Sequence, residues 1–138
     1  IVARSVETAL HKLHVLGFDV NRVERAQGVA PLPPLVDDDL LAIGLTNDAI
    51  LYGSGVVLEV VGDDASIEEI GPRVPSSASP DHGRPFAEIF ARYDHDFYRI
   101  DPMLFSPASV VISNAETGSL FKYGNIDDDV LVESFAKK

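Results

Sequence analysis

The sequence predicts an α/β fold of the mixed α+β kind, with helices packed on a mixed sheet and a β-hairpin and short helix at the C-terminal end. Three observations carry that prediction. The chain opens on an apolar pattern of helical period, it holds separate β-prone runs at "GVVLEVVG" and "SVVIS", and helical patterns stand between those runs. Helices interleaved with strands call for layered packing, and one tight hairpin among longer connections makes the sheet mixed.

The elements follow in order. In "IVARSVETALHKLHVLGF", Val2, Val6, Ala9, Leu10, Leu13 and Leu16 share one side at about 100° per residue. Arg4, Glu7, His11 and His14 gather on the other. Gly17 is the expected C-terminal stop. "FDVNRVE" alternates enough for a strand over 18–24. The three prolines of "GVAPLPPLVDDD" forbid regular structure over 28–39, and its acids stand ready to cap the next helix. That helix, "DLLAIGLTNDAILYG" from Asp39, keeps Leu40, Ile43, Ala49 and Ile50 near helical spacing, and "GVVLEVVG" from Gly55 is a β-branched strand. Over 63–85 no period is sustained, and Ile67 to Ile70 suit a short turn or strand. "PFAEIFARY" over 85–93 has proline in its first turn and turns Phe86, Ile89 and Phe90 to one side. "SVVIS" and "SLFKYG", joined by "NAETG", make a hairpin with glycine in its loop. In the tail, "DDDVLVESFAKK", acids lead and lysines follow, as a helix dipole favours.

Composition bounds the function. A chain of 138 residues suits a single compact region, 1–138, able to bury about two thirds of the surface that it exposes when unfolded. With 46% hydrophobic residues, seven Phe and four Tyr, it is globular and not disordered. Twenty-two acidic residues against 11 basic ones give a formal net charge of −11, a field that repels phosphate backbones and anionic lipid. Neither nucleic acid nor membrane is therefore an expected partner, and no apolar run reaches the ~20 residues of a membrane span. The sequence has no cysteine, which excludes disulfide and thiolate chemistry. With no signal-peptide pattern either, the expected location is cytoplasmic. The first residue is Ile, the helical pattern already runs at position 2, and the one Met is Met103. The chain is thus expected to be the later part of a longer polypeptide.

The common nucleotide motifs are missing: there is no P-loop and no GxGxxG, and "GSG" over 53–55 reads as the turn between helix and strand. "PSSAS" over 75–79 either presents amides and hydroxyls to a ligand or is a plain surface loop. Glu7, His11 and His14, spaced by four and three, place a carboxylate and two imidazoles on one helix side, a donor set that zinc accepts. No HExxH accompanies them, and "DHD" over 94–96 has no spacing that links it to the first group, so a bound metal is not expected. The polar face of the first helix is either a solvated Arg–Glu pair worth a few tenths of a kcal/mol or a row of groups that move protons.

"RSVETALHKLHVLGFDV", "TNDAILYG" and "PSSASPDHGRPFAEIFARYDHDFYRIDPMLFSPA" together resemble the methenyltetrahydromethanopterin cyclohydrolase family of one-carbon metabolism in methane-producing archaea and methylotrophic bacteria. The likeness runs over nearly all of the chain. It implies two α/β domains with the pocket between them, of which this chain is the C-terminal part and lacks the N-terminal domain, and a homotrimeric assembly. It implies hydrolysis of the methenyl bridge of a tetrahydromethanopterin derivative to a formyl group, with no metal and no permanently bound cofactor, the pterin being the substrate. The family's catalytic Arg and Glu, three apart, fall on Arg4 and Glu7. "TNDAILYG" and "PSSAS" are expected beside them, with Asn47, Asp48, Ser76, Ser77 and Ser79 binding substrate.

The residue types suit that chemistry. A methenyl carbon between two nitrogens is already electrophilic, so an enzyme need only position and deprotonate a water and then protonate the departing nitrogen. Glu7 is suited to both proton transfers and Arg4 to orienting it or stabilising the developing charge. The chain departs from the family pattern at Leu45, where Arg is expected, and at Ser54, where Gly is usual; Arg22, Arg73 and Arg84 are candidates to hold the anionic arm of the substrate instead. Two other classes remain: a binding or oligomerisation module whose polar helix face meets a subunit, and a metal-dependent hydrolase built on Glu7, His11 and His14.

Overall fold

The computed structural model describes residues 4–136. Its regular elements are α1 (Ser5–Val15), β1 (Val23–Val29), α2 (Asp39–Gly53), β2 (Gly55–Val60), α3 (Asp64–Ile70), α4 (Phe86–Arg92), β3 (Ser109–Asn114), β4 (Leu120–Gly124) and α5 (Asp128–Ala136). The strands form one mixed sheet in the order β1-β2-β3-β4. β2 and β3 run parallel in the centre, and an antiparallel strand flanks each side. The connection between the parallel pair carries α3 and α4, whereas β3 and β4 are joined by a short loop closed by Gly118 N–H on the Asn114 carbonyl. Gly118 has φ +77 there, a left-handed conformation that glycine adopts without strain.

Period-two alternation decides which face of the sheet is covered. Val56, Leu58 and Val60 of β2 and Val110 and Ile112 of β3 are buried on one face, with Ala9 and Leu13 of α1 and Ile67 and Ile70 of α3 packed over them. A second apolar cluster lies away from the sheet: Leu51 and Tyr52 of α2, Phe86 and Ile89 of α4, Ile100, Leu104 and Val130. Tyr52 anchors this cluster to the loop before α4, its hydroxyl donating to the Arg84 carbonyl (2.5 Å) and accepting from Gly83 and Arg84 N–H. Burial pushes that phenol up to about 12.

The structure corrects three expectations. The strand expected over 18–24 begins only at Val23, because Asp19 accepts from the Asn21 N–H and turns Val20–Arg22 into a 3-10 helix. β1 then continues through Gly28 and Val29, which belong to the expected loop; they pair with Val56 and Gly55, so backbone pairing overrides the polar, unpatterned sequence. Residues 67–70, expected as a turn or strand, end helix α3, whose N-terminus is capped by Asp63 accepting from Ser66 N–H. The other helices, the β2 strand and the hairpin fall where expected. Gly17, at φ +85, follows Leu16, the C-cap of α1. Val2 of the apolar stripe and the final Lys137 and Lys138 lie outside the described residues.

Candidate functional site

Helix α1 puts different chemistry on its different sides. Ala9 and Leu13 go into the core, while Arg4, Glu7, Thr8 and His11 line an open cavity of about 470 Å³. Helix α2 contributes Asn47, Ile50 and Leu51 to the cavity, and the stretch before β3 contributes Phe97, Pro102 and Phe105. Arg4 and Glu7 form a two-point ion pair, Nε to Oε2 at 2.9 Å and Nη2 to Oε1 at 2.5 Å. The hydrogen bond from Arg4 and then its charge hold the Glu7 carboxyl below its ordinary range; the same contacts raise Arg4. Both side chains are about two-thirds exposed, at 65% and 63%. Water therefore screens the pair, whose worth lies in its placement and not in its stability.

The aromatic wall is a packed unit. Phe97 and Phe105 stack with centroids 4.8 Å apart and planes 21° apart, and Phe86 meets both edge-on or tilted at about 6 Å. Phe97 nevertheless remains 45% exposed, so its ring belongs partly to the cavity. Acidic side chains hold the backbone of this stretch: Asp101 accepts from Met103 N–H (3.1 Å) and from the Ser79 hydroxyl (2.7 Å). Asp81 in turn accepts from Asp101 N–H (3.1 Å), Arg92 (2.8 Å) and the Tyr93 hydroxyl (2.8 Å). The site is thus a polar pair on one helix facing stacked rings, with mixed lining from α2 between them.

Comparison with known proteins bears on what such a site serves. The cyclohydrolase (MCH) family model matches residues 1–135. The chain belongs to this family. It is 55% identical over 137 residues, 98% of its length, to a Rhodopirellula baltica protein named methenyltetrahydromethanopterin cyclohydrolase, and covers 41% of that protein. Proteins of the same name from Methylobacterium organophilum and Methanocella arvoryzae are 46% and 44% identical over 99% and 100% of the chain, which covers 42% and 43% of them. The chain spans about two fifths of the length of the curated relatives that it matches.

Within this member of the cyclohydrolase family, the sequence-predicted site residues separate into three places. Arg4, Glu7 and Asn47 come together on the cavity. Asp48, one residue on and about 100° round the helix, is instead 1% exposed, accepting from Phe86 N–H (2.7 Å) and from the Ser134 hydroxyl. Ser76 donates to the Leu51 carbonyl (2.5 Å) and Ser79 to Asp101, so both are buried behind the cavity's walls and do not line it. Ser77 borders another hollow of about 480 Å³ with His82 and the acidic start of α5. "PSSAS" is therefore neither a plain loop nor a rim of this cavity: two of its serines tie backbone together.

The other candidates are also placed. Arg22 is engaged in the fold, donating to the Val61 and Asp63 carbonyls and the Ser66 hydroxyl over the Phe18 ring, and Arg73 and Arg84 do not line the cavity. Leu45 is buried, bordering a small void with Pro85 and Ala87. His11 is on the cavity but His14 is not, and among the described residues no group of three or more His, Cys, Asp or Glu is arranged to hold a metal ion. No helix among them is long and apolar enough to cross a membrane. Sequence reasoning missed Phe97, Pro102 and Phe105. The available signal was an aromatic-rich stretch, "DFYRIDPMLF", without helical or strand period but with two aspartate turn starts.

Proposed function

We propose that this chain supplies the acid–base half of a methenyl-tetrahydromethanopterin cyclohydrolase site. The observation that carries the reading is the Arg4–Glu7 pair at one side of a cavity backed by stacked aromatic rings, in a chain of the cyclohydrolase family. The planar pterin rests against the Phe97–Phe105 wall, and Asn47 meets a polar edge of the substrate. Glu7, kept ionised by Arg4, accepts a proton from a water molecule as its oxygen bonds to the methenyl carbon. Arg4 stabilises the oxygen as charge develops there. The bond from that carbon to one ring nitrogen then breaks as Glu7 returns the proton to the nitrogen, and the remaining hydroxyl proton passes to solvent, so the cationic substrate leaves as a neutral formyl product with one proton released. No metal enters this scheme.

Asp48, Ser76 and Ser79 serve it from behind, by holding α2, α4 and the aromatic stretch in place. The two-thirds exposure of Arg4 and Glu7 means that a further surface, from the rest of the polypeptide or from a neighbouring copy in a homotrimer, closes the site against water. Exposed apolar residues of the lining and next to it in the chain support this: Phe97 of the cavity is exposed, Tyr98 follows it, and Ile43 lies one helical turn before Asn47 on α2. Glu7→Gln in the complete enzyme tests the reading, because it keeps shape while removing the proton acceptor. Loss of the methenyl chromophore should slow by roughly a hundredfold to ten-thousandfold with the melting temperature little changed. A Gln variant at wild-type rate sinks the proposal.

A further inference from the structure

The wall opposite Arg4 and Glu7 has little regular structure, only the 3-10 turns Phe97–Arg99 and Pro102–Leu104. One side chain of α1 ties it directly to the helix that carries the acid–base pair. Lys12 is 1% exposed, and its ammonium donates to the Met103 carbonyl at 2.5 Å and to the Val74 carbonyl at 3.1 Å. Met103 sits between Pro102 and Phe105, both of which line the cavity. Desolvation holds Lys12 down to about 8 against the opposing pull of Asp101, so its burial is costly to the fold. An apolar side chain in such a position is often neutral or stabilising, which points to a use for the ammonium other than stability.

We propose that Lys12 is a positioning residue: by pinning the Met103 carbonyl to α1, it sets the width of the cavity and hence how far a ring resting on the Phe97–Phe105 wall stands from the Glu7 carboxylate. Ser79 and Asp101 brace the same turn from behind, so the wall is held on two sides. The inference rests on the reading that this cavity takes the pterin substrate. An ångström of misplacement costs reactions of this type up to about a hundredfold, so a tether one side chain long suffices to matter.

The test uses the complete enzyme with methenyl-tetrahydromethanopterin, comparing Lys12→Met, Lys12→Gln and Glu7→Gln. Folded Lys12→Met should show kcat lowered about tenfold or more while KM changes by less than about threefold, since the ring then stands off the Glu7 carboxylate while the rings and Asn47 that hold it are kept. Lys12→Gln, which keeps an N–H donor for one carbonyl, should fall between it and the wild type. A crystal structure of Lys12→Met should show the Met103 turn withdrawn from α1. Wild-type kcat in a folded Lys12→Met overturns the inference, and so does failure of both Lys12 variants to fold, since the lysine would then serve stability alone. Loss of activity in Glu7→Gln beside an unchanged kcat in Lys12→Met overturns the inference and spares the proposed function. A fully active Glu7→Gln overturns both.

Discussion

Arg4 and Glu7 are bound to each other by charge. A carboxylate paired with a guanidinium at two points stays ionised to lower pH than a free one, so in the proposed reaction Glu7 receives a proton before it gives one. The sign of the pH dependence follows. Activity that needs the carboxylate is present above its pKa and is lost as pH falls through it, and Arg4 moves that point down. The acidic limb of kcat/KM, which reports the free enzyme, should therefore lie below the ordinary glutamate range in the complete enzyme. Arg4→Gln should shift that limb upward as well as lowering the plateau; a limb that stays in place after Arg4 is removed means that the pair does not set the proton affinity of the site. These two residues were legible in sequence because a three-residue spacing on a helix places them side by side whatever the rest of the fold does.

Between elements, one residue of rotation separates the cavity from the core. Asn47 faces the cavity and Asp48 faces α4 and α5, where it accepts from the Phe86 N–H and the Ser134 hydroxyl, joining three helices through one carboxylate. Asp48→Ala strands a buried backbone donor at the start of α4 and should lower unfolding stability by about 2–3 kcal/mol. Asp48→Asn, which keeps one acceptor, should lose less. The check is denaturant unfolding with an unchanged slope, and an alanine variant as stable as the wild type shows that the carboxylate contributes nothing net. Helices α1 and α4 were readable because their apolar residues recur at helical spacing, whereas α3, expected as a turn or strand, was not. β1 was displaced by five residues because an edge strand with six exposed positions carries no alternation to read, and its pairing with β2 comes from backbone groups that every residue possesses.

For the molecule as a whole, the cavity is open and the chain is acidic. On the proposed reading, a net charge of −11 works against binding an anionic substrate arm, and the one guanidinium lining the cavity among the described residues is already paired with Glu7. On that reading, positive charge for such an arm comes from a surface beyond this cavity. The chain taken alone should accordingly be a poor catalyst: nothing excludes water from Arg4 and Glu7, and the preorganisation that supplies much of the acceleration is incomplete. Following the methenyl chromophore with the chain alone, and then with the part of a curated relative that lies outside the matched region added in trans, tests this. Full activity from the chain alone would show that residues 1–138 hold a complete site.

What the sequence determined by itself was local: the stripe of α1, the buried alternation of β2 and β3, the Gly-closed hairpin, and the adjacency of Arg4 and Glu7. Each depends on residues a few positions apart, where helix and strand periods fix geometry without reference to distant chain. Only the tertiary structure decided what faces that pair. Asn47 reaches the cavity from 40 residues after Glu7, Phe97 and Phe105 from 50 and 58 residues after Asn47, and Ser76 and Ser79 turn inward because the carbonyl of Leu51 and the carboxylate of Asp101 lie within reach. Lys12 illustrates the difference most directly. Its type and helical position predict a solvated cation, yet two carbonyls brought from 62 and 91 residues away supply the acceptors that make its burial possible.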